Sequence, residues 1–148
     1  MSDCISLFTA DTDHLRWPDI TALRRMVFIE EQNVPEHEEW DASDAAAIHI
    51  AALYKTGISD RVIGCARLLD DGQIGRMAVL QTWRGRGAGC ALLQFALGAA
   101  RRKGMQAVYL NAQTHAIGFY QRYGFVVTSD EFMDAGIPHK RMERADFL

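Results

Sequence analysis

The chain has 148 residues, 49% apolar and 24% charged, which suits one globular domain with a sizeable hydrophobic core. Its net charge of −3 gives no support to nucleic acid or an anionic membrane surface as the main partner, and no apolar stretch approaches a membrane span. The N-terminus "MSDCISLFTADTD" lacks the basic start and apolar run of a signal peptide, and Cys4, Cys65 and Cys90 are odd in number, so the expectation is a cytoplasmic protein with buried thiols.

In chain order, "ISLF" (5–8) reads as a first strand. Pro18 suits the first turn of a helix, and Ile20, Leu23 and Val27 then recur at helical spacing, with Arg24, Arg25, Glu30 and Glu31 assigned mostly to other faces. The polar segment 33–45 reads as a loop or broken helix, with "EHEE" (36–39), Asp41 and Asp44 as a solvated acidic patch or an attraction for a cationic amine. Three β-leaning runs follow, at 47–54, 61–69 and 73–80, joined by the hairpin sequences "KTGISD" and "DDG". A helix over 87–103 has a broad apolar face, basic residues in its last turn and Gly104 as its cap. A strand at 106–112, a short helix at 114–124 and a closing pair of strands at 125–132 and 139–145 complete the order β-α-βββ-α-β-α-ββ. The whole of 1–148 reads as one α/β domain: a mixed, mainly antiparallel sheet with helices on both faces.

The stretch "WRGRGAGCALL" (83–93) sits between a strand and a helix. Glycines at 85, 87 and 89 permit unusual dihedrals and a close approach to the backbone, and a helix N-terminus offers N–H groups without partners. With Arg84 and Arg86 beside them, a pyrophosphate site is one reading. A plain glycine turn with two solvated arginines is the other. A P-loop is excluded because no Lys-Ser or Lys-Thr follows, and the dinucleotide fingerprint fails on spacing. The histidines at 14, 37, 49, 115 and 139 show no metal-site spacing, so no metal is expected.

"RGRGAG" (84–89) resembles the pyrophosphate-binding motif of the GCN5-related N-acetyltransferases (GNAT). "AIGFYQRYGF" (116–125) resembles a second segment of that superfamily, in the expected order and separation. "VFIEEQNVPEHEEWDASDAAAIHI" and "EFMDAGIPHKRM" are similar to segments of its ElaA-like branch. The resemblance implies acetyl-CoA as cosubstrate, held by Arg84, Gly85, Arg86, Gly87, Ala88 and Gly89. It also implies a bulged strand at "RMAV", where Met77, Ala78 and Val79 face the thioester and pantetheine, with Asn111 bonding to the pantetheine arm.

The implied reaction is direct acetyl transfer to a primary amine of a small molecule or peptide in a ternary complex. Tyr120 is the expected general acid, since a phenol titrates near a leaving thiol; packing on a short amphipathic helix is the competing role. For the general base the candidates are Glu30, Glu31, Asp41, His49, Glu131 and His139, with Glu31 and His139 nearest the implied acceptor site. A CoA-binding sensor of the same fold with little chemistry remains the alternative. Homodimers are frequent in the family; the sequence itself demonstrates none.

Overall fold

A computed structural model describes residues 4–145. Strand β1 (Cys4–Ala10) is followed by helix α1 (Trp17–Arg24), with Pro18 in its first turn. The chain then continues as a wider π-helical segment, Arg25–Glu31, closed by the bond from Gln32 N–H to the Val27 carbonyl. The single helix expected over this region is therefore two helical forms in succession. A four-residue helix α2 (Glu36–Glu39) and a 3₁₀ turn at Ala42–Ala45, capped by Asp41, break the acidic loop.

Strands β2 (Ile48–Lys55), β3 (Asp60–Leu68) and β4 (Ile74–Val79) form, with β1, an antiparallel sheet in the order β1-β2-β3-β4. Helix α3 (Ala88–Arg102) lays Leu92, Leu93, Ala96, Leu97 and Ala100 on that sheet. It comes so close to β3 that a Cβ on Gly64 would lie 2.8 Å from a Leu92 methyl.

The second half holds β5 (Ala107–Gln113), helix α4 (Ile117–Gln121), β6 (Val126–Val127), β7 (Phe132–Asp134) and β8 (Ile137–Ala145). β8 pairs antiparallel with β5, β6 and β7. The strand expected at 125–132 is thus two short pieces. Ser129 interrupts the pairing by accepting the Arg141 amide on its hydroxyl, and Ala135 and Gly136, with φ of 50° and 76°, make a two-residue turn from β7 into β8. Among the described residues a single parallel bridge, from Gln73 just before β4 to Tyr109 of β5, joins the two sheets, so the two strands part beyond it. That divergence opens the cleft.

Behind the cleft lies a buried ion network. Arg24 donates to Glu39 at 2.7 Å and to Asp44 at 2.9 Å, while Arg67 donates to Asp44 at 2.9 Å and Asp41 at 2.8 Å. Arg24 and Glu39 are almost wholly buried. The acidic segment is therefore only in part a solvated patch: Glu36, Glu38 and Asp41 are exposed while Glu39 and Asp44 are buried, and Arg24 does not lie on a polar face. Glu39, Asp41 and Asp44 reach inward because the broken loop folds back over α1 and β3, where Arg24 and Arg67 meet them. Among the cysteines, Cys65 is buried and its thiol is pushed up to about 12 by that burial, Cys90 is half-buried and Cys4 is exposed. Cys4 departs from the expectation because it starts an edge strand. Among the described residues, no helix is long and apolar enough to cross a membrane.

His49 sits beside the network, buried under Trp17, with Nε2 donating to the Asp44 carbonyl at 2.9 Å. Burial lowers its pKa, so the folded protein holds it neutral while an unfolded chain protonates it near pH 6.5. Its contribution to stability is present above that pH and is lost as pH falls from there through the lowered folded value. The wild-type melting temperature should fall more between pH 8 and pH 5 than that of His49→Gln; equal falls would remove His49 from the acid response.

Candidate active site

The cleft between β4 and β5 has a volume of about 570 Å³, and the 27–39 segment, α4 and the β7–β8 turn enclose it. Along its β4 wall the ladder carries one residue too many: Gly75 pairs with Arg67 and Ala78 with Cys65, so Arg76 and Met77 share the place opposite Ala66. Arg76 has φ of 47°, a left-handed conformation that costs a non-glycine residue about 1–3 kcal/mol. The bulge takes Met77 out of regular pairing, and Met77, Ala78 and Val79 all line the cleft.

At the end of β4 the chain turns through Gly85 and Gly87, whose φ values of 76° and 90° suit glycine. A Cβ on either would meet no protein atom within 4 Å, so the space before them is open. Gly87 caps α3, and the first intrahelical bond is from Ala91 N–H to the Gly87 carbonyl at 3.0 Å. The amides of Ala88, Gly89 and Cys90 therefore lack intrahelical acceptors at the positive end of a 15-residue helix.

The two arginines of this turn do different things. Arg84 donates from Nε to the Val79 carbonyl at 2.9 Å and grips Glu31 through both terminal nitrogens, at 2.6 and 2.8 Å. Arg86 lies over the Trp83 ring at 4.9 Å. In this arrangement Arg84 ties the turn to the helical segment across the cleft mouth, and the main-chain amides remain for an anion.

Tyr120 lines the cleft from α4, packed among Phe119 and Phe125 at ring distances of 5.1 and 6.0 Å. Its hydroxyl lies 3.9 Å from the Met77 sulfur, and burial pushes the phenol up to about 12, so it stays protonated across the physiological range. Asn111 lines the cleft from β5. Tyr109 lies outside, bonded to Asp71 and stacked under Arg141.

Of the six candidate bases, only Glu31 and His139 line the cleft. The hydrogen bonds from Arg84 hold the Glu31 carboxyl below its usual range, away from the near-neutral value a base needs. This counts against Glu31. His49 and Asp41 belong to the buried network, and Glu30 and Glu131 are exposed elsewhere. His139 is 92% buried, by its 8% exposure, and stacks on Phe132. Its Nδ1 meets the Ile137 carbonyl at 2.7 Å, which fixes that nitrogen as the protonated one and leaves Nε2 as the acceptor.

Residues 28–145 match the Acetyltransferase (GNAT) domain. YjcF of Bacillus subtilis, described as an uncharacterized N-acetyltransferase, is 38% identical over 126 residues, covering 84% of this chain and 89% of its own. An acyl-CoA N-acyltransferase from Pseudomonas aeruginosa has a TM-score of 0.84 at 32% identity, over 96% of this chain and all of its own. Escherichia coli ElaA is 34% identical over 130 residues, 82% of each chain, and its crystal structure has a TM-score of 0.82, over 94% of this chain and 99% of its own. A bulged strand, a glycine turn at a helix N-terminus and a cleft tyrosine thus occur in a chain that belongs to the GNAT family of N-acetyltransferases, in its ElaA-like branch.

Proposed function

We propose that this enzyme transfers the acetyl group of acetyl-CoA to a primary amine by direct attack in a ternary complex. The observation that carries the reading is the bulged end of β4, whose residues Met77–Val79 line one cleft together with Tyr120, Asn111 and His139. The amides of Ala88, Gly89 and Cys90 would hold the pyrophosphate, with Gly85 and Gly87 leaving room for it. Asn111 would bond to the pantetheine arm.

Backbone donors at Met77 and Val79 would polarise the thioester carbonyl as negative charge develops on its oxygen. His139 Nε2, directly or through a water, takes the proton of the incoming amine. The amine nitrogen bonds to the carbonyl carbon, the carbon–sulfur bond breaks, and the Tyr120 hydroxyl gives its proton to the departing sulfur.

The acceptor would bind beside two carboxylates of the cleft lining. Glu38 and Asp134 line the cleft, both exposed, and neither has an ion-pair partner among the described residues. A second positive charge on the acceptor would find these carboxylates, which favours diamines and basic peptides over amino acids with a free carboxylate.

The test is CoA release from acetyl-CoA across an amine panel graded by charge. Release with at least one amine is expected, with diamines ahead of chain-length-matched amino acids. Tight acetyl-CoA binding without release from any amine would defeat the catalytic reading.

A further inference from the structure

The buried network behind the cleft has one member that reaches into it. Of its three arginines, Arg24 and Arg67 are buried, whereas Arg76 lines the cleft and is the left-handed residue of the β4 bulge. A non-glycine residue keeps such a conformation only where its surroundings over-determine it. Here they do so from both sides of the residue. The Arg76 carbonyl accepts from the Cys65 thiol at 3.3 Å. Its Nη2 donates to the Glu39 carbonyl at 3.0 Å, the Glu38 carbonyl at 3.3 Å and the Asp41 carboxylate at 3.1 Å, and its Nε donates to the Glu39 carbonyl at 3.3 Å. The Glu39 carboxylate, held by Arg24, lies 3.4 Å from Arg76 Nε.

We infer that Arg76 is a positioning residue for acyl transfer: its guanidinium pins the β4 bulge to the 38–41 segment and so sets where the Met77 and Val79 amides face the cleft. The inference rests on the catalytic reading of that bulge. It goes beyond it by assigning the bulge's geometry to a side chain that need not touch the thioester, and by tying the acceptor wall at Glu38 to the donor wall at Met77. A planar guanidinium is required because one group must meet two carbonyls and two carboxylates at once; an ammonium is a single point charge with no such fork.

Two variants test this. Arg76→Gly removes the clamp while suiting the left-handed backbone, so the bulge loses its anchor without gaining strain. Arg76→Lys keeps a cation beside Glu39 and loses the fork. For Arg76→Gly, kcat for CoA release should fall on the order of 10- to 100-fold, the loss associated with slight misplacement of catalytic groups. The Kd for acetyl-CoA should stay within about threefold, because the amides at the α3 N-terminus are untouched. Arg76→Lys should lower the melting temperature less than Arg76→Gly and show a smaller fall in kcat.

Amide chemical shifts give a readout besides turnover. On adding acetyl-CoA, the Met77 and Val79 shifts should shrink in both variants while those of Gly87–Cys90 persist. Wild-type kcat and wild-type shifts in Arg76→Lys would overturn the inference, and that comparison stands alone should Arg76→Gly fail to fold. If the wild type binds acetyl-CoA yet acetylates no amine, the catalytic reading fails, and the Met77 and Val79 shifts still decide whether Arg76 sets the bulge.

Discussion

Replacing Tyr120 with Phe should lower kcat for acetyl transfer by about 10²- to 10⁴-fold, the range general-acid catalysis supplies. The ring stays packed against Phe119 and Phe125, so the fold should hardly change. The hydroxyl's contact with the Met77 sulfur, at 3.9 Å, is too long to contribute much to stability. The Kd for acetyl-CoA should therefore stay close to wild type, separating a chemical role from a packing role. The pH profile supplies a second check. Because burial pushes the phenol up to about 12, its proton is retained far above neutrality, and wild-type kcat/KM should show no loss from Tyr120 ionising near the ordinary phenol value of about 10. Wild-type turnover in Tyr120→Phe, measured by CoA release across pH, would return Tyr120 to the role of a packing residue. A variant that binds acetyl-CoA normally but transfers slowly would also weigh against a non-catalytic sensor.

Arg24→Met should cost about 3–5 kcal/mol of stability, because it removes the shared cation of two buried carboxylates. Glu39 and Asp44 would both lose their bonds to Arg24, at 2.7 and 2.9 Å, and the Glu39 carbonyl would lose one donor, at 3.1 Å, keeping those from Arg76. Met fills the stem's volume, so the loss reports charge and hydrogen bonding more than a cavity. Urea unfolding with an unchanged slope and a lower midpoint is the expected result. A double variant, Arg24→Met with Glu39→Gln, should recover part of the loss, since neutralising the orphaned carboxylate removes much of the penalty. A loss below about 1 kcal/mol in the single variant would mean that Arg67 and Arg76 suffice for the network.

The two variants probe parts of the molecule that were unequally legible in the sequence. Tyr120 was named because "AIGFYQRYGF" follows "RGRGAG" in order and at the right separation. Most of the strands, the broad apolar face of α3 and the glycine that ends it, Gly104, also follow from local pattern, since period, turn chemistry and positive φ act over a few residues. Arg24 shows the opposite case. It stands four residues after Ile20 and three before Val27, on the apolar face by spacing, yet a charge there reads as solvent-facing. Arg67 and Arg76, each a charge inside an apolar strand, carry the same faint signal.

What the sequence determined by itself was the architecture, the family and the two segments that bracket the cleft, because these rest on short-range periodicity and on motifs within single elements. Tertiary structure alone decided the pairing of charges. It placed Glu31 and Arg84, 53 positions apart, in one bidentate pair. It also buried Glu39 and Asp44 and turned the Arg76 side chain from the β4 bulge toward the 38–41 segment. Charge partners are chosen by proximity after the chain has folded and by the cost of leaving a charge buried alone, and neither quantity exists along a linear chain.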